Sequence, residues 1–110
     1  MTTSGTTAIY LALASLKLPE GSEVIVPNFT MIATVNAVKS LHLTPVIVDI
    51  DPSTHTINHN MLADKITDKT KVIFHVSLNN RYVDMNDLVE FCEERGIVLL
   101  EDAAQSLGSR

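Results

Sequence analysis

Two short segments carry residue types that could bind an anion and a ring nitrogen. Near the start, residues 2–7 read Thr-Thr-Ser-Gly-Thr-Thr and stand directly before a stretch rich in Ala and Leu with helical spacing. A helix N-terminus attracts phosphate because it carries unpaired N–H groups and a partial positive charge. Glycine lets the backbone come close to such a ligand, and the hydroxyls can donate to it. Ser and Thr are also the preferred N-cap residues, so a phosphate loop and an ordinary cap both stay open.

The second segment is residues 99–105, Leu-Leu-Glu-Asp-Ala-Ala-Gln, where an apolar run ends in carboxylates. Open α/β sheets bind their ligands beyond the carboxyl ends of parallel strands. Asp102 in that position could hold a proton on a ring nitrogen, and the small Ala103 and Ala104 would admit a flat ring. Asp102 could equally cap a following helix, and these residues alone leave both interpretations open.

An alternation of two sequence patterns predicts the scaffold for these segments. Short apolar, β-branched runs predict strands over residues 23–27, 45–49, 71–76 and 96–100, each covered on both faces. Helical spacing predicts helices over residues 7–18, 31–41, 61–66 and 84–95, the last with Asp84 as N-cap and ended by Gly96. Strands and helices in turn indicate one α/β domain with a mostly parallel sheet.

The composition argues against several classes of partner. The net charge is −5 with no basic cluster, so nucleic acid and anionic membranes are poor partners. There is one cysteine, no signal-peptide pattern and no apolar run of about 20 residues, so we expect a cytoplasmic protein. The Asp49-Ile50-Asp51 spacing favours a turn, and His55 and His59 are poor candidates for a zinc pair, so no metal site is predicted.

Four motifs in order carry a resemblance to a known family. They cover residues 4–8 (Ser-Gly-Thr-Thr-Ala), 21–30, 44–51 and 101–105 (Glu-Asp-Ala-Ala-Gln). Together they resemble the DegT/DnrJ/EryC1/StrS sugar aminotransferases, which depend on pyridoxal 5'-phosphate and have the fold-type-I architecture. The resemblance implies that residues 1–110 are part of the cofactor-binding large domain, an incomplete three-layer sandwich.

The resemblance also assigns cofactor-binding roles to seven residues. They are Gly5, Thr6, Thr7, Met31, Asp102, Ala104 and Gln105. The first three would hold the phosphate, Asp102 would pair with the pyridine nitrogen, and Gln105 would reach the ring hydroxyl. Ala104 would lie against one ring face, and Met31 would pack on the other, where the family often has an aromatic residue.

A loop at residues 76–85 departs from the family pattern. Asn80 stands where the similar Ser-Leu-Asn-Gly-Arg version has glycine. If that position needs a positive φ, Asn is the least costly substitute. Arg81 is a candidate for substrate binding, although a solvated role is the commoner one for such an arginine.

The resemblance implies transfer of an amino group, usually from glutamate, to a keto group on a nucleotide-linked sugar, by a homodimer. In the family the Schiff-base lysine follows the Asp-Ala-Ala-Gln motif, whereas every lysine here precedes it: Lys17, Lys39, Lys65, Lys69 and Lys71. We therefore expect a fragment that has no catalytic lysine, is inactive alone and folds weakly because its sheet lacks flanking cover. The alternative is a non-catalytic α/β module that binds a phosphate ligand or docks on a longer relative.

Overall fold

A computed structural model of the chain describes residues 1–81 and 83–108. The elements of these residues are α1 (Gly5–Ser15), β1 (Glu23–Pro27), α2 (Ile32–Ser40), β2 (Thr44–Val48), α3 (Leu62–Lys65), β3 (Thr70–Val76), α4 (Asn86–Arg95) and β4 (Val98–Asp102). A 3-10 turn over His59–Met61 leads directly into α3. The predicted alternation of helices and strands is confirmed, with element ends shifted by a turn or less.

The four strands form one parallel sheet in the order β2-β1-β3-β4. Each parallel neighbour needs a crossover connection, and α2, α3 and α4 lie in those connections. The expectation of a mostly parallel sheet is therefore confirmed. Because all strands run the same way, the segments that follow them emerge at one edge of the sheet, which we call the carboxyl edge.

Alternating strand residues supply the two faces of the core. On one face Val26 and Phe74 pack with Leu13 of α1 and Val38 of α2. On the other face residues that include Ile25 and Ile73 pack with Leu88 and Cys92 of α4. Side chains point alternately to opposite faces of a strand, so both faces of the central strands are apolar and covered. The sheet thus lies between two helical layers.

Two strands are less covered than the sequence predicted. Apolar runs at β2 and β4 predicted burial on both faces, but Ile47 is 47% exposed and Val98 is 37% exposed. Both strands lie at the ends of the four-stranded order, so each has a neighbour on one side among the described residues. Their position in the sheet, and not their residue types, explains why β2 and β4 are more exposed than β1 and β3.

The start of α4 also differs from the prediction. Asp84 was expected as the N-cap, but Met85 occupies that position and makes no side-chain cap. Asp84 Oδ1 instead accepts the N–H of Asn86 at 3.0 Å from one residue further out. The predicted end is confirmed, since Gly96 closes α4 with φ of 64°, the left-handed conformation that glycine adopts without strain. Within the described residues no helix has the length and apolar character needed to cross a bilayer.

Candidate functional site

At the carboxyl edge, hydrogen bonds connect the segments that follow neighbouring strands. After β1, the Asn28 side chain donates to Asp49 Oδ1 at 2.6 Å, and its main-chain N–H donates to the Val48 carbonyl at 2.8 Å. After β3, the N–H of Ser77 donates to the Asp102 carbonyl at 3.1 Å. The turn that the sequence predicted follows Asp49 at residues 52–54. These bonds extend the strand pairing into the loops where a ligand would bind.

The first helix begins at the predicted phosphate loop. Ser4 is its N-cap, and its Oγ accepts the N–H of Thr7 at 3.2 Å and pairs with Thr7 Oγ1 at 3.0 Å. No acceptor among the described residues pairs with the N–H of Gly5 or Thr6. A Cβ built on Gly5 would meet nothing within 4 Å. The loop is therefore a capped helix end that still has two open N–H donors.

Two adjoining cavities connect this helix end to the loop after β4. The first, of about 520 Å³, is lined by Thr6, Thr7 and Met31, with the rest of its wall from α1 and α2. The second, of about 230 Å³, is lined by Met31, Asn79 and Gln105 and three further residues. Met31 belongs to both linings. Thr6 and Gln105 thus line two cavities that share the exposed Met31.

Asp102 ends β4 on the same side of the sheet as these cavities. It pairs in register with Val76, two residues beyond the Phe74–Leu100 pair that packs on the α1 and α2 layer. Its Oδ1 accepts the N–H of Ala104 at 3.1 Å, and Ala104 itself is exposed. The hydrogen bond of a cap is therefore present, but residues 104–108 form turns and not the helix that the sequence suggested. The second carboxylate oxygen makes no hydrogen bond with a described residue.

The chain matches a known protein family over its whole length. The model of the DegT/DnrJ/EryC1/StrS aminotransferase family matches residues 1–110. The chain belongs to this family.

Relatives of known activity are longer than this chain. GDP-perosamine synthase of Escherichia coli O157:H7 is 43% identical over 107 residues, which are 97% of this chain and 29% of that protein. UDP-2-acetamido-2-deoxy-3-oxo-D-glucuronate aminotransferase of Pseudomonas aeruginosa is 40% identical over 106 residues, 96% of this chain and 30% of that protein. The structure of NtdA from Bacillus subtilis with bound cofactor PMP superposes with a TM-score of 0.91 at 37% identity, over 97% of this chain and 25% of that one. The chain thus spans less than a third of these relatives.

Pyridoxal phosphate is the cofactor expected of the DegT/DnrJ/EryC1/StrS family, and the donor groups at this edge suit it. A phosphate needs N–H and hydroxyl donors, which the Gly5-Thr6-Thr7 helix end offers. A protonated ring nitrogen needs a carboxylate, and Asp102 has an oxygen that no described residue occupies. Gln105 and Met31 line the surface between these two ends. The residues present therefore fit the two polar ends and the flat body of such a cofactor.

The lysines of the chain lie at the other end of the sheet. Lys17 follows α1, and Lys39 and Lys65 lie in the last turns of α2 and α3. Lys69 and Lys71 flank the beginning of β3, where the Lys71 ammonium donates to the Asp68 carbonyl at 3.0 Å. The helices return from the carboxyl edge, so their ends and the strand beginnings share the opposite edge. The family's Schiff-base lysine thus has no counterpart near Asp102 among the described residues.

Arg81 lies away from the surface that Met31 spans. Its side chain is exposed, and Nη1 donates to the Ser53 carbonyl at 2.7 Å, which connects the loop after β3 to the turn after β2. It lines a separate cavity of about 350 Å³ with Ser77 and Glu101. The other four guanidinium N–H groups donate to no described residue. The structure does not bring Arg81 together with the seven predicted cofactor residues.

Two consecutive asparagines have a positive φ, which the sequence suggested for only one of them. Asn80 has φ of 55°, as the glycine at this position in similar sequences suggested, and Asn79 has φ of 56°. Both N–H groups donate to Gln105, one to its side chain and one to its carbonyl. The residue type of Asn79 also indicated a positive φ, because Asn tolerates this conformation best after glycine.

A buried histidine lies on the other face of the sheet. His75 is 1% exposed, pairs in register with Glu101, and leaves Nδ1 without a partner among the described residues. Burial lowers the pKa of His75, and the Glu101 carboxylate opposes that shift. His59 also has its pKa lowered by burial, against the attraction of Asp87. Because these groups face the α4 layer, they do not line the surface between Thr6 and Gln105.

Proposed function

We propose that residues 1–110 form the cofactor-binding part of the large domain of a pyridoxal-phosphate-dependent aminotransferase acting on nucleotide-linked keto sugars. One observation carries the proposal: Thr6, Thr7, Met31 and Gln105 line two adjoining cavities, and Asp102 ends a strand on the same side. Two segments about a hundred residues apart in sequence thus offer phosphate donors and a carboxylate on one surface. Residues 103–110 contain no lysine, so the proposed site, as residues 1–110 form it, lacks the family's Schiff-base lysine.

Each residue has a distinct part in this proposal. The open N–H groups of Gly5 and Thr6, with the Thr7 hydroxyl, bind the phosphate at the positive end of α1. The free oxygen of Asp102 holds a proton on the ring nitrogen.

Between those ends, Met31 packs on one ring face through its thioether, and Ala104 leaves room on the other. The Gln105 amide faces the ring hydroxyl. When bound, pyridoxal phosphate supplies an electron-withdrawing ring that makes amino-group transfer possible.

The substrate, partner and location belong to the same proposal. Relatives named for GDP- and UDP-linked sugars support a nucleotide-linked keto sugar as acceptor, with glutamate as the amino donor. A homodimer is supported by the open apolar groove beside Thr6 and Thr7, where Met31 and Ile32 are each 67% exposed. A cytoplasmic location is supported by the single, buried Cys92, which needs no oxidising compartment.

Binding of pyridoxamine phosphate to the purified chain tests the proposal. This form has an amine in place of the aldehyde, so it cannot label surface lysines, and its retention in equilibrium dialysis reports the non-covalent site alone. We expect saturable binding of one molecule per chain that inorganic phosphate competes away. Absence of saturable binding would contradict the proposed site.

Two further observations test whether the chain lacks a Schiff-base lysine. Pyridoxal phosphate followed by borohydride should label the five lysines without selectivity, because they lie at the opposite edge from Asp102. Selective labelling of one of them would contradict inactivity of the chain. The coding sequence beyond Arg110 is the second observation: a continuation with a lysine in a Ser-rich loop supports the aminotransferase, whereas a stop codon supports a non-catalytic module.

A further inference from the structure

The two asparagines that turn the chain after β3 hold Gln105 by two hydrogen bonds. The N–H of Asn79 donates to Gln105 Oε1 at 3.1 Å, and the N–H of Asn80 donates to the Gln105 carbonyl at 2.9 Å. The turn is closed by the Arg81 N–H, which donates to the Leu78 carbonyl at 3.1 Å. One peptide segment therefore holds both the backbone and the side chain of Gln105.

Both hydrogen bonds depend on an unusual backbone conformation. Asn79 and Asn80 have φ of 56° and 55°, in the left-handed region that most residues avoid. Their side chains are exposed and form no hydrogen bond with a described residue, so the hydrogen bonds to Gln105 come from the main chain alone. The contribution of the asparagines is to tolerate a conformation in which two successive N–H groups point at the same residue.

The first of these bonds determines which way the Gln105 amide faces. A main-chain N–H can only donate, so its partner in the amide must be the oxygen and not the nitrogen. With Oε1 engaged by Asn79, the NH₂ group of Gln105 is the end left for other partners. Gln105 and Asn79 both line the cavity of about 230 Å³ that Met31 shares with the phosphate end.

We propose that the Asn79–Asn80 turn is a positioning device that holds the Gln105 amide with its N–H donors, rather than its oxygen, toward the cofactor ring oxygen. This inference rests on the proposed function. A phenolic ring oxygen that loses its proton is a pure acceptor, so a donor fixed opposite it stabilises the bound ring. An amide free to turn would present its oxygen part of the time and repel that oxygen.

Substitutions at Asn80 test whether the backbone conformation of the turn, and not a contact of the Asn80 side chain, determines cofactor affinity. Asn80→Gly keeps the positive φ and the N–H, so we expect the pyridoxamine phosphate dissociation constant and the absorption spectrum of the bound ring to match the unchanged chain. Asn80→Val places a β-branched residue where it is strained, so we expect affinity to fall about two- to tenfold, the range for one net hydrogen bond. The bound spectrum should also shift, because the ring oxygen loses a fixed donor.

A change at Gln105 gives a test that does not strain the backbone. Gln105→Glu can still accept the Asn79 N–H but offers the ring only an acceptor when ionised. We expect weak binding at neutral pH that partly recovers at acidic pH, where the carboxyl group becomes protonated and can donate. Circular dichroism of each variant would establish that it is folded.

The outcomes distinguish the two proposals. If the unchanged chain does not bind pyridoxamine phosphate, both fail. If it binds, and Asn80→Val binds equally well with an unshifted spectrum, the positioning role is wrong and the proposed function stands. Full-strength binding by Gln105→Glu at neutral pH would also overturn the positioning role.

Discussion

Glu101 and Asp102 are neighbours in sequence whose side chains lie on opposite faces of the sheet. Glu101 pairs in register with His75 and accepts the Ser77 hydroxyl at 3.0 Å on the α4 side. Asp102 lies two residues after Leu100, which packs with the α1 and α2 layer, and so faces the side where Thr6 and Met31 lie. Strand alternation therefore gives each carboxylate a separate environment, and only Asp102 shares a face with the proposed cofactor surface.

Neutralising Asp102 should weaken cofactor binding without unfolding the chain. In Asp102→Asn the amide oxygen can still accept the Ala104 N–H, but the negative charge opposite the ring nitrogen is lost. We expect the dissociation constant of pyridoxamine phosphate to rise about 10- to 100-fold, because hydrogen bonds to charged groups contribute about 1.5–3 kcal/mol. Glu101→Gln is the matched control and should bind normally. Equal effects of the two variants in equilibrium dialysis would argue against the role of Asp102.

Adding a methyl group at Gly5 should weaken phosphate binding without lowering the stability of the chain. A Cβ at Gly5 meets no protein atom within 4 Å, and alanine is favoured over glycine in helices by up to about 1 kcal/mol. Gly5→Ala should therefore be at least as stable as the unchanged chain. The same methyl group obstructs a phosphate that approaches the Gly5 and Thr6 N–H groups, so we expect about tenfold weaker binding, equivalent to about 1.4 kcal/mol.

The control for Gly5→Ala lies at the other end of the same helix. Ser15 is exposed in the last turn of α1, where its hydroxyl donates to the Ala12 carbonyl at 2.7 Å. Ser15→Ala should leave pyridoxamine phosphate binding unchanged. Thermal unfolding and dialysis measured on both variants would show whether binding and stability separate; unimpaired binding by Gly5→Ala would mean that phosphate does not approach this residue.

The fold was largely predictable because each strand carries an uninterrupted apolar run and each break carries turn residues. Helix ends were harder: α1 begins at Gly5 instead of the predicted Thr7 because Ser4 caps it, and several Ser and Thr residues there could have done so. Ile32 of α2 is apolar, yet it lines the open cavity beside Thr6. Helical spacing identifies a face and does not show what covers it.

Only the family resemblance predicted that Thr6, Met31 and Gln105 line adjoining cavities. Spacing alone could not show that Met31 lies between Thr6 and Gln105. Met31 follows β1 and Gln105 follows β4, and these strands are close only because both are neighbours of β3. The connection from Asn79 to Gln105 depends on the same strand order, since the two residues follow β3 and β4. Such contacts between loops follow from sheet topology, which local sequence patterns do not specify.

A charged residue on β2, an outer strand of the sheet, should reduce self-association. Ile47 is 47% exposed on this strand, and exposed apolar edge strands promote aggregation, which lysine on the edge opposes. We expect Ile47→Lys to remain folded and to associate less in sedimentation measurements over a range of concentrations. The control is the next residue, Val48, which is 1% exposed, so Val48→Lys should prevent folding. Undiminished association of Ile47→Lys would show that another surface drives it.

Protonation of His75 should make the folded chain less stable in mild acid. Burial lowers the pKa of His75 in the folded state, with Glu101 on β4 opposing that shift and His59 adding to it. In the unfolded state the imidazole titrates near its usual pKa of about 6.5. Below that pH the unfolded chain binds more protons, so the free energy of unfolding is greatest above it and falls as the pH falls toward the folded pKa.

Urea unfolding of three chains between pH 7.5 and 5.5 checks this expectation. The unchanged chain should lose stability over this range, and the exposed His42→Asn variant, whose new side chain tolerates the positive φ at that position, should lose as much. His75→Gln should lose less, with a residual loss from His59, whose pKa burial also lowers. If His75→Gln does not fold, NMR titration of the His75 ring gives its pKa directly. A normal pKa for that ring, or an unaltered pH slope in His75→Gln, would show that burial of His75 does not couple folding to pH.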